Sequence, residues 1–413
     1  MTDIADLRAK ALHLFQAAID AADPARAVTQ ALDEELRAEG TLYLVAVGKA
    51  AVPMMRAAQA SLAPGQATRA LLITNPENAA TLPGVDTHLA NHPVPDAAGE
   101  AAAHALEALL ANTSANDRVI ALISGGGSAL LPAPVAGVTL QDKATLNELL
   151  LGSGLEINDM NHIRQQVSRL KGGGLLRAAA PAKVTAYILS DVVGDDLRAI
   201  ASGPTVAPIG TKASATALMQ SAGIWDAAPA SIRAHLNQPD APQDLPPADN
   251  HLVASNRQSL DAMRAAAPEA QILNDRLEGN VAQVAPQLAE IFKTLPADAP
   301  ATLLFGGETT VTLTGTGSGG RNQDLALRMA LQDIPGEWVF LSGGTDGRDG
   351  PTDAAGGMVD SDTATRLKTA NIDAKAHLQN NDAYPALKAS DDLIITGGTG
   401  TNVADVMIFM RTA

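Results

Sequence analysis

Cysteine is absent from this 413-residue chain, which excludes disulfides, thiolate nucleophiles and cysteine-held zinc or iron–sulfur centres. Aromatic residues make up only 2%, too few for the stacking platforms that bind single-stranded nucleic acid. Positive charge is in deficit as well. With 45 Asp and Glu against 29 Lys and Arg, the formal charge of −16 argues against nucleic acid or an anionic membrane surface as a partner. No run approaches ~20 apolar residues, and the opening MTDIADLRAK lacks a basic-then-apolar leader, so a soluble cytoplasmic protein is expected. The phosphate signature G-x-x-x-x-G-K-[ST] and the nucleophile elbow G-x-S-x-G are both missing, which leaves a P-loop ATPase and an α/β-hydrolase unsupported.

What is present is a globular balance, 46% hydrophobic and 18% charged, at a length that predicts two or three domains. Apolar spacing over Leu7, Ala11, Leu14 and Ala18 predicts a first helix. A second follows the Asp23-Pro24 start signal and is expected to stop at Gly40. Strand-like runs at Leu42–Val47, Ala70–Thr74, Val119–Ile123 and Val184–Leu189 alternate with segments long enough for crossover helices, the pattern of a doubly wound parallel sheet. The proline-rich stretch Asn237–Asn250 reads as a linker and divides the chain into domains 1–240 and 241–413. Beyond it, runs at His251–Ala254, Gln271–Leu273, Thr302–Phe305, Val311–Leu313, Trp338–Leu341, Leu393–Thr396 and Val406–Met410 predict a second α/β domain.

Most of the 35 glycines fall in clusters, several directly after a strand-like run, where backbone amides can cradle an anion. Gly315–Gly320 matches G-x-G-x-x-G, but the strand Trp338–Leu341 ends in Ser342-Gly343-Gly344 instead of the acidic residue a dinucleotide site needs. Lys49, after Gly48 at an expected helix start, and Arg321, after Ser318-Gly319-Gly320, are cations where the helix dipole is already positive. Each therefore suits an anion lying between it and the helix, against the alternative of a surface residue. Ser124-Gly125-Gly126-Gly127-Ser128 offers hydroxyls and amides to a carboxylate or phosphate, or is simply a flexible loop. A helix over Asn158–Leu170 would carry Asn161, Arg164, Ser168 and Lys171 as a polar stripe without acids. Asp191, at the end of Val184–Leu189, can ligate Mg²⁺ or take a proton from a hydroxyl. Asp346, Asp349 and Asp353 lie in a glycine-rich loop that lacks the calcium-loop register and suits Mg²⁺ or a nucleotide.

These motifs resemble the class II glycerate kinases, whose C-terminal half is called the MOFRL domain. The matching strings are VAVGKAA (45–51), NHPVPD (91–96), ISGGGSALL (123–131), SDVVGDDLRAIASGPT (190–205), GGETTV (306–311), GSGGRNQ (317–323), GGTDGRDGPTDAAG (343–356) and TGTNVADV (399–406). They run in order along nearly the whole chain. Arg348 and Ala404 depart from the usual pattern. The resemblance implies a Rossmann-like N-terminal domain, a smaller MOFRL-type α/β domain and an active site in the cleft between them. It allows the last strand to pack back on the N-terminal domain and leaves a homodimer open. The implied reaction is ATP- and Mg²⁺-dependent phosphorylation of the 2-hydroxyl of D-glycerate to 2-phosphoglycerate, with NAD(P)H-dependent hydroxypyruvate reduction as the alternative. Catalytic roles fall to Lys49, Arg321 and Asp191. Substrate or nucleotide contacts fall to Ser124, Gly125, Gly126, Gly127, Ser128, Asn161, Arg164, Ser168, Lys171, Asn256, Glu308, Asn322 and Asn402, and metal contacts to Asp346 and Asp349.

Overall fold

Short, continuously apolar runs make strands that must be covered on both faces, and helices supply the cover. The computed structural model describes residues 3–412 apart from 33, 241–243 and 297–298. It divides into two units, Pro24–Val253 and a second in which Met1–Asp23 joins Ala254–Ala413.

The first unit is built on β1 (Leu42–Val47), β2 (Thr68–Thr74), β3 (Val85–Leu89), β4 (Arg118–Ile123), β5 (Lys183–Leu189) and β6 (Ala248–Ala254), in the order β3-β2-β1-β4-β5-β6. The β1–β2, β2–β3, β1–β4 and β4–β5 pairs are all parallel. Every residue of β1 is buried, which is why it reads as an unbroken apolar run. The chain steps from β1 out to β3 and returns on the other side of β1 with β4. In open α/β sheets, ligands bind outside the carboxyl ends of the strands at such a reversal. Lys49, Ser124 and Asp191 follow the carboxyl ends of β1, β4 and β5.

Several expectations shift here. The run His251–Ala254, read as opening the second domain, belongs to edge strand β6 of the first sheet. The His251 ring stacks on Tyr187 at 5.2 Å, and Thr205 Oγ1 donates to Asn250 Oδ1 at 2.7 Å. The division thus falls after Val253 rather than at 240/241. The proline-rich stretch connects elements within one unit, and its residues 241–243 lie outside the described ones. The second helix, Pro24–Ala31, ends well before Gly40, and the helix expected over Asn158–Leu170 covers only Ile157–Gln166.

The second unit carries β7 (Gln271–Asn280), β8 (Ala301–Thr310), β9 (Trp338–Gly344), β10 (Gly356–Asp360), β11 (Leu393–Ile394) and β12 (Asp405–Arg411), in the order β11-β10-β9-β12-β8-β7. Only β7 and β8 pair parallel; the other four pairs are antiparallel. The final strand β12 lies between β8 and β9, so the expectation that it packs back on the first domain is not met. The N-terminal helix Ile4–Ala21 belongs to this unit instead. Its Leu7, Ala11, Leu14, Phe15 and Ala18 pack with Val339, Leu341, Val406 and Ile408. Arg8 reaches the fully buried Asp360 and Asp392 at 2.5 and 2.9 Å, and Arg366 pairs with both. Carboxylates so deeply buried require such counter-charge. The opposite sheet face holds Phe292, Phe305, Trp338, Phe340 and Phe409, with Phe292 stacked on Phe409 at 3.8 Å. Among the described residues no helix is long and apolar enough to cross a membrane.

Candidate functional site

At the strand reversal of the first sheet, β1 and β4 end in loops that hold each other. The Lys49 amide donates to the Gly125 carbonyl at 2.9 Å, and the Ala50 amide donates to the buried Ser124 Oγ at 3.1 Å. Ser124 is thereby committed to the scaffold. The glycines of Ser124–Ser128 have a packing reason that spacing alone did not reveal. A Cβ on Gly125 would stand 2.1 Å from Asp191 Oδ2, one on Gly126 3.1 Å from the His92 ring and 3.2 Å from Lys49 Cγ, and one on Gly127 2.9 Å from the Ala201 methyl. Three side chains that carry chemistry, Asp191, His92 and Lys49, therefore lean on one loop.

Asp191 and His92 are tuned by that arrangement. Burial pushes the Asp191 carboxyl above its ordinary value, against its own backbone amide and Lys49. Burial, then Lys49, holds the His92 imidazole below the usual histidine value, which favours its neutral form at pH 7. Lys49 makes no ion pair among the described residues. Among the described residues Arg164 and Lys171 lack carboxylate partners too, whereas Arg169 pairs with Glu107 and Arg198 with Asp196. Arg164 bonds Asn147 Oδ1 at 2.5 Å and Asn161 Oδ1 at 3.4 Å. Lys171 donates to the Ser128 carbonyl and sits 2.6 Å from Ser128 Oγ. Burial, then Lys143 and Arg164, holds its amine well below the lysine range. Lys143 itself is pressed down to about 7, first by burial and then by Arg169 and Arg164. Ser168 Oγ accepts the Lys171 amide at 3.4 Å. Because the helix stops at Gln166, Asn161 and Arg164 lie on it while Ser168 and Lys171 lie in the turns beyond, brought together by the chain's fold back rather than by helical periodicity.

The sheet edge in the second unit is organised differently. Arg321, opening the helix Arg321–Ala330, holds Asp405 with two bonds, Nε to Oδ2 at 2.6 Å and Nη2 to Oδ1 at 3.0 Å, and pairs with Glu308 at 2.9 Å. Burial works against the charged guanidinium, but Asp405 and then Glu308 outweigh it and keep it firmly protonated. The lone cation expected here is thus a paired one. Asp349 caps the same helix: Oδ1 accepts the Asn322 amide at 3.1 Å and Oδ2 the Gln323 amide at 2.8 Å. Burial pushes its carboxyl up to about 6 despite those amides. Asn322 Oδ1 accepts from Ser342 Oγ at 2.6 Å, and Asn256 Nδ2 donates to the Val403 and Asp405 carbonyls at 2.8 Å each. Asn402 Oδ1 accepts the amide of Ala404, a left-handed residue with φ of 64°. Asp346 Oδ1 accepts the Arg348 amide at 2.9 Å.

The Gly315–Gly320 loop folds against the turn at Asn380–Asp382, and the amides of Gly315 to Ser318 are already bonded. Gly315 donates to Asn381 Oδ1, Thr316 to Asn380 Oδ1, Gly317 to the Asn380 carbonyl and Ser318 to Asp382 Oδ1, at 2.8–3.2 Å. A cofactor pyrophosphate would have to break these bonds.

Residues missed at the sequence level are His92, Lys143, Ser202 and Asp405. Three stand inside quoted motifs, NHPVPD, IASGPT and TNVADV, but spacing alone singles out none of them; Lys143 has no local signal.

Two family models match in succession, a domain of unknown function (DUF4147) over residues 10–237 and the MOFRL family over residues 301–405. The chain is 38% identical to the D-glycerate 2-kinase of Thermotoga maritima, covering 99% of each, and 36% identical to the glycerate 2-kinase of Pyrococcus horikoshii, covering 99% of this chain and 98% of that one. It is 41% identical, over 95% of this chain and 92% of the other, to an Agrobacterium vitis protein that bears a provisional hydroxypyruvate reductase name. The crystal structure of the Thermotoga maritima glycerate kinase matches with a TM-score of 0.90 at 36% identity, covering 99% of this chain and all of that one. With both halves matched in order and full-length relatives on either side, the chain belongs to the MOFRL-containing class II glycerate kinase family.

Proposed function

We propose that the protein phosphorylates D-glycerate at its 2-hydroxyl, with ATP as donor and Mg²⁺ as the accompanying ion, to give 2-phosphoglycerate. The observation that carries this reading is that Lys49, a cation without an ion-pair partner among the described residues, and Asp191, a carboxyl raised by burial, lean on the same loop at the strand reversal. Phosphoryl transfer needs neutralised charge and a positioned hydroxyl more than covalent help. In this reading Lys49 meets the transferring phosphoryl group or the glycerate carboxylate, with Arg164 adding positive potential. Asp191 accepts the hydroxyl proton, a task its raised basicity favours. Arg321 acts as a positioning residue, since three of its five N–H donors face Asp405 and Glu308.

The donor set bears on the metal. Among the described residues no group of three or more His, Asp or Glu is gathered to hold an ion, so there is no all-protein cage. Magnesium brought on nucleotide phosphates needs only one or two carboxylates, and Asp346 would supply one, whereas Asp349 is committed to its helix. When bound, the ion would draw charge from the transferring phosphoryl group.

Incubation with D-glycerate, ATP and Mg²⁺ should yield ADP and 2-phosphoglycerate, identified by its phosphorus resonance; absence of ADP release would overturn the reading. The reductase name carried by the Agrobacterium relative sets the control. Hydroxypyruvate with NADH or NADPH should show no loss of nicotinamide absorbance, because the amides of Gly315–Ser318 are occupied.

A further inference from the structure

One cluster in the first unit has a chemistry that phosphoryl transfer does not require. Lys171 Nζ stands 2.6 Å from Ser128 Oγ, Ser128 Oγ stands 3.0 Å from Ser202 Oγ, and Ser202 Oγ stands 3.5 Å from Asn161 Oδ1. The other bond of Nζ runs to the Ser128 carbonyl at 3.0 Å, so both partners of the amine belong to one residue. Around it lie apolar walls, Val45, Ile123, Leu170 and Leu175, and the charges acting on it are the cations Lys143 and Arg164. Such surroundings favour the neutral form of the amine, whose lone pair would then be available to a neighbouring hydroxyl.

The backbone that delivers Ser202 is strained. Ala201, Ser202 and Gly203 are successively left-handed, with φ of 48°, 60° and 67°, a conformation that costs non-glycine residues and persists only where surroundings enforce it. Here the Gly172 amide and Gln165 Nε2 both donate to the Ser202 carbonyl, at 3.1 and 3.2 Å. The strain sets the Ser202 hydroxyl against Ser128. A serine whose proton is taken by a neutral lysine is an established way to make a hydroxyl nucleophilic.

We propose that Ser128 is a nucleophile activated by Lys171 and aligned by Ser202, giving the protein a second, covalent activity: transfer of an acyl group from a small carboxylic ester to Ser128 and on to water. Ser128 Oγ bonds the ester carbonyl carbon while the carbon–oxygen bond to the alcohol breaks. Lys171 takes the hydroxyl proton and returns it to the departing alkoxide. Water then attacks the acyl-serine, its proton passes to Lys171, the carbon–Oγ bond breaks, and Ser128 recovers its proton, releasing the carboxylic acid. The proximity of Ala201, His92 and Lys49 to the loop limits the acyl group to a short one.

The test is independent of the kinase reading, since it contains neither nucleotide nor glycerate. The full chain is mixed with p-nitrophenyl acetate, p-nitrophenolate release is followed, and the acetyl group is mapped by peptide mass spectrometry. The expected result is acetyl on Ser128, lost in Ser128→Ala, with release slowed about 100-fold in Lys171→Arg, whose permanently charged guanidinium keeps a donor at Ser128 but cannot act as base. Acetyl on Lys171 with Ser128 unmodified, or wild-type release from Ser128→Ala, overturns the proposal. Should Lys171→Arg fail to fold, Ser202→Ala carries the comparison: slowing of several-fold supports the alignment, and an unchanged rate overturns it.

Discussion

The two sheet edges treat positive charge in opposite ways. In the first unit Lys49, Lys143, Arg164 and Lys171 gather near Ser124–Ser128 with backbone carbonyls, amides and hydroxyls for company, and burial and mutual repulsion push two of the amines down. In the second, Arg321 is held by Asp405 and Glu308, with Asp349 close enough to act on its charge. Lys49 follows Gly48 just before the helix Ala51–Ala60, and Arg321 opens a helix after Ser318-Gly319-Gly320, so local sequence makes them look equivalent. The difference teaches that an unpaired cation is free to meet an anionic ligand, whereas a doubly paired one serves the architecture.

The largest expected effect breaks that comparison if it fails. Lys49→Ala should lower kcat/KM for glycerate phosphorylation by about 100- to 1,000-fold, with a thermal midpoint close to wild type because no ion pair is lost. Arg321→Ala should do the reverse in kind: it strands the fully buried Asp405 and is expected to cost roughly 3 kcal/mol of stability, read as a midpoint lower by on the order of 5–10 °C in calorimetry. Equal stability losses in the two variants would erase the distinction.

A smaller effect concerns pH. Asp349 has a folded-state pKa raised to about 6 from an ordinary value of 3.8, so between those values the folded state binds the proton that the unfolded state has released. Its contribution to stability is present below about pH 4 and is lost as pH rises through 6. Against Asp349→Asn, the wild type should therefore lose roughly 2 kcal/mol between pH 4 and 6, measurable by denaturant titration at each pH. A parallel dependence in both proteins would place the raised group elsewhere. The smallest effect is Ala404→Gly. Relief of the left-handed strain at φ of 64°, offset by the greater freedom of glycine when unfolded, should leave a gain of about 0.5 kcal/mol; a loss would show that the Ala404 methyl contributes packing that outweighs its strain.

Much of the first sheet was legible. β1, β2, β4 and β5 announce themselves because strands covered on both faces are apolar throughout. β3 did not, since Val85–Leu89 is an edge strand only partly buried, and β10 begins with two glycines that mimic a loop. β6 was found and assigned to the wrong unit, because prolines mark irregular backbone without saying whether a domain ends there. The candidate site was half legible: Lys49, Asp191 and the Ser124–Ser128 loop were singled out from their places after strands, while Ser202, which follows no strand end, and His92, which follows the unrecognised β3, were not.

The sequence by itself determined the exclusions, the strand-forming runs and the order of motifs that marks the family, because each is a local property of composition or spacing. Only the tertiary structure decided which charges are neutralised. Asp405 lies 84 residues from Arg321, and Lys49 has carboxylates as near in sequence as many paired residues do, yet ion pairing follows distance in the folded chain. The glycines divide in the same way: their positions after strands are written in the sequence, but that Gly125 and Gly126 make room for Asp191, His92 and Lys49 is a matter of which side chains the fold brings against them.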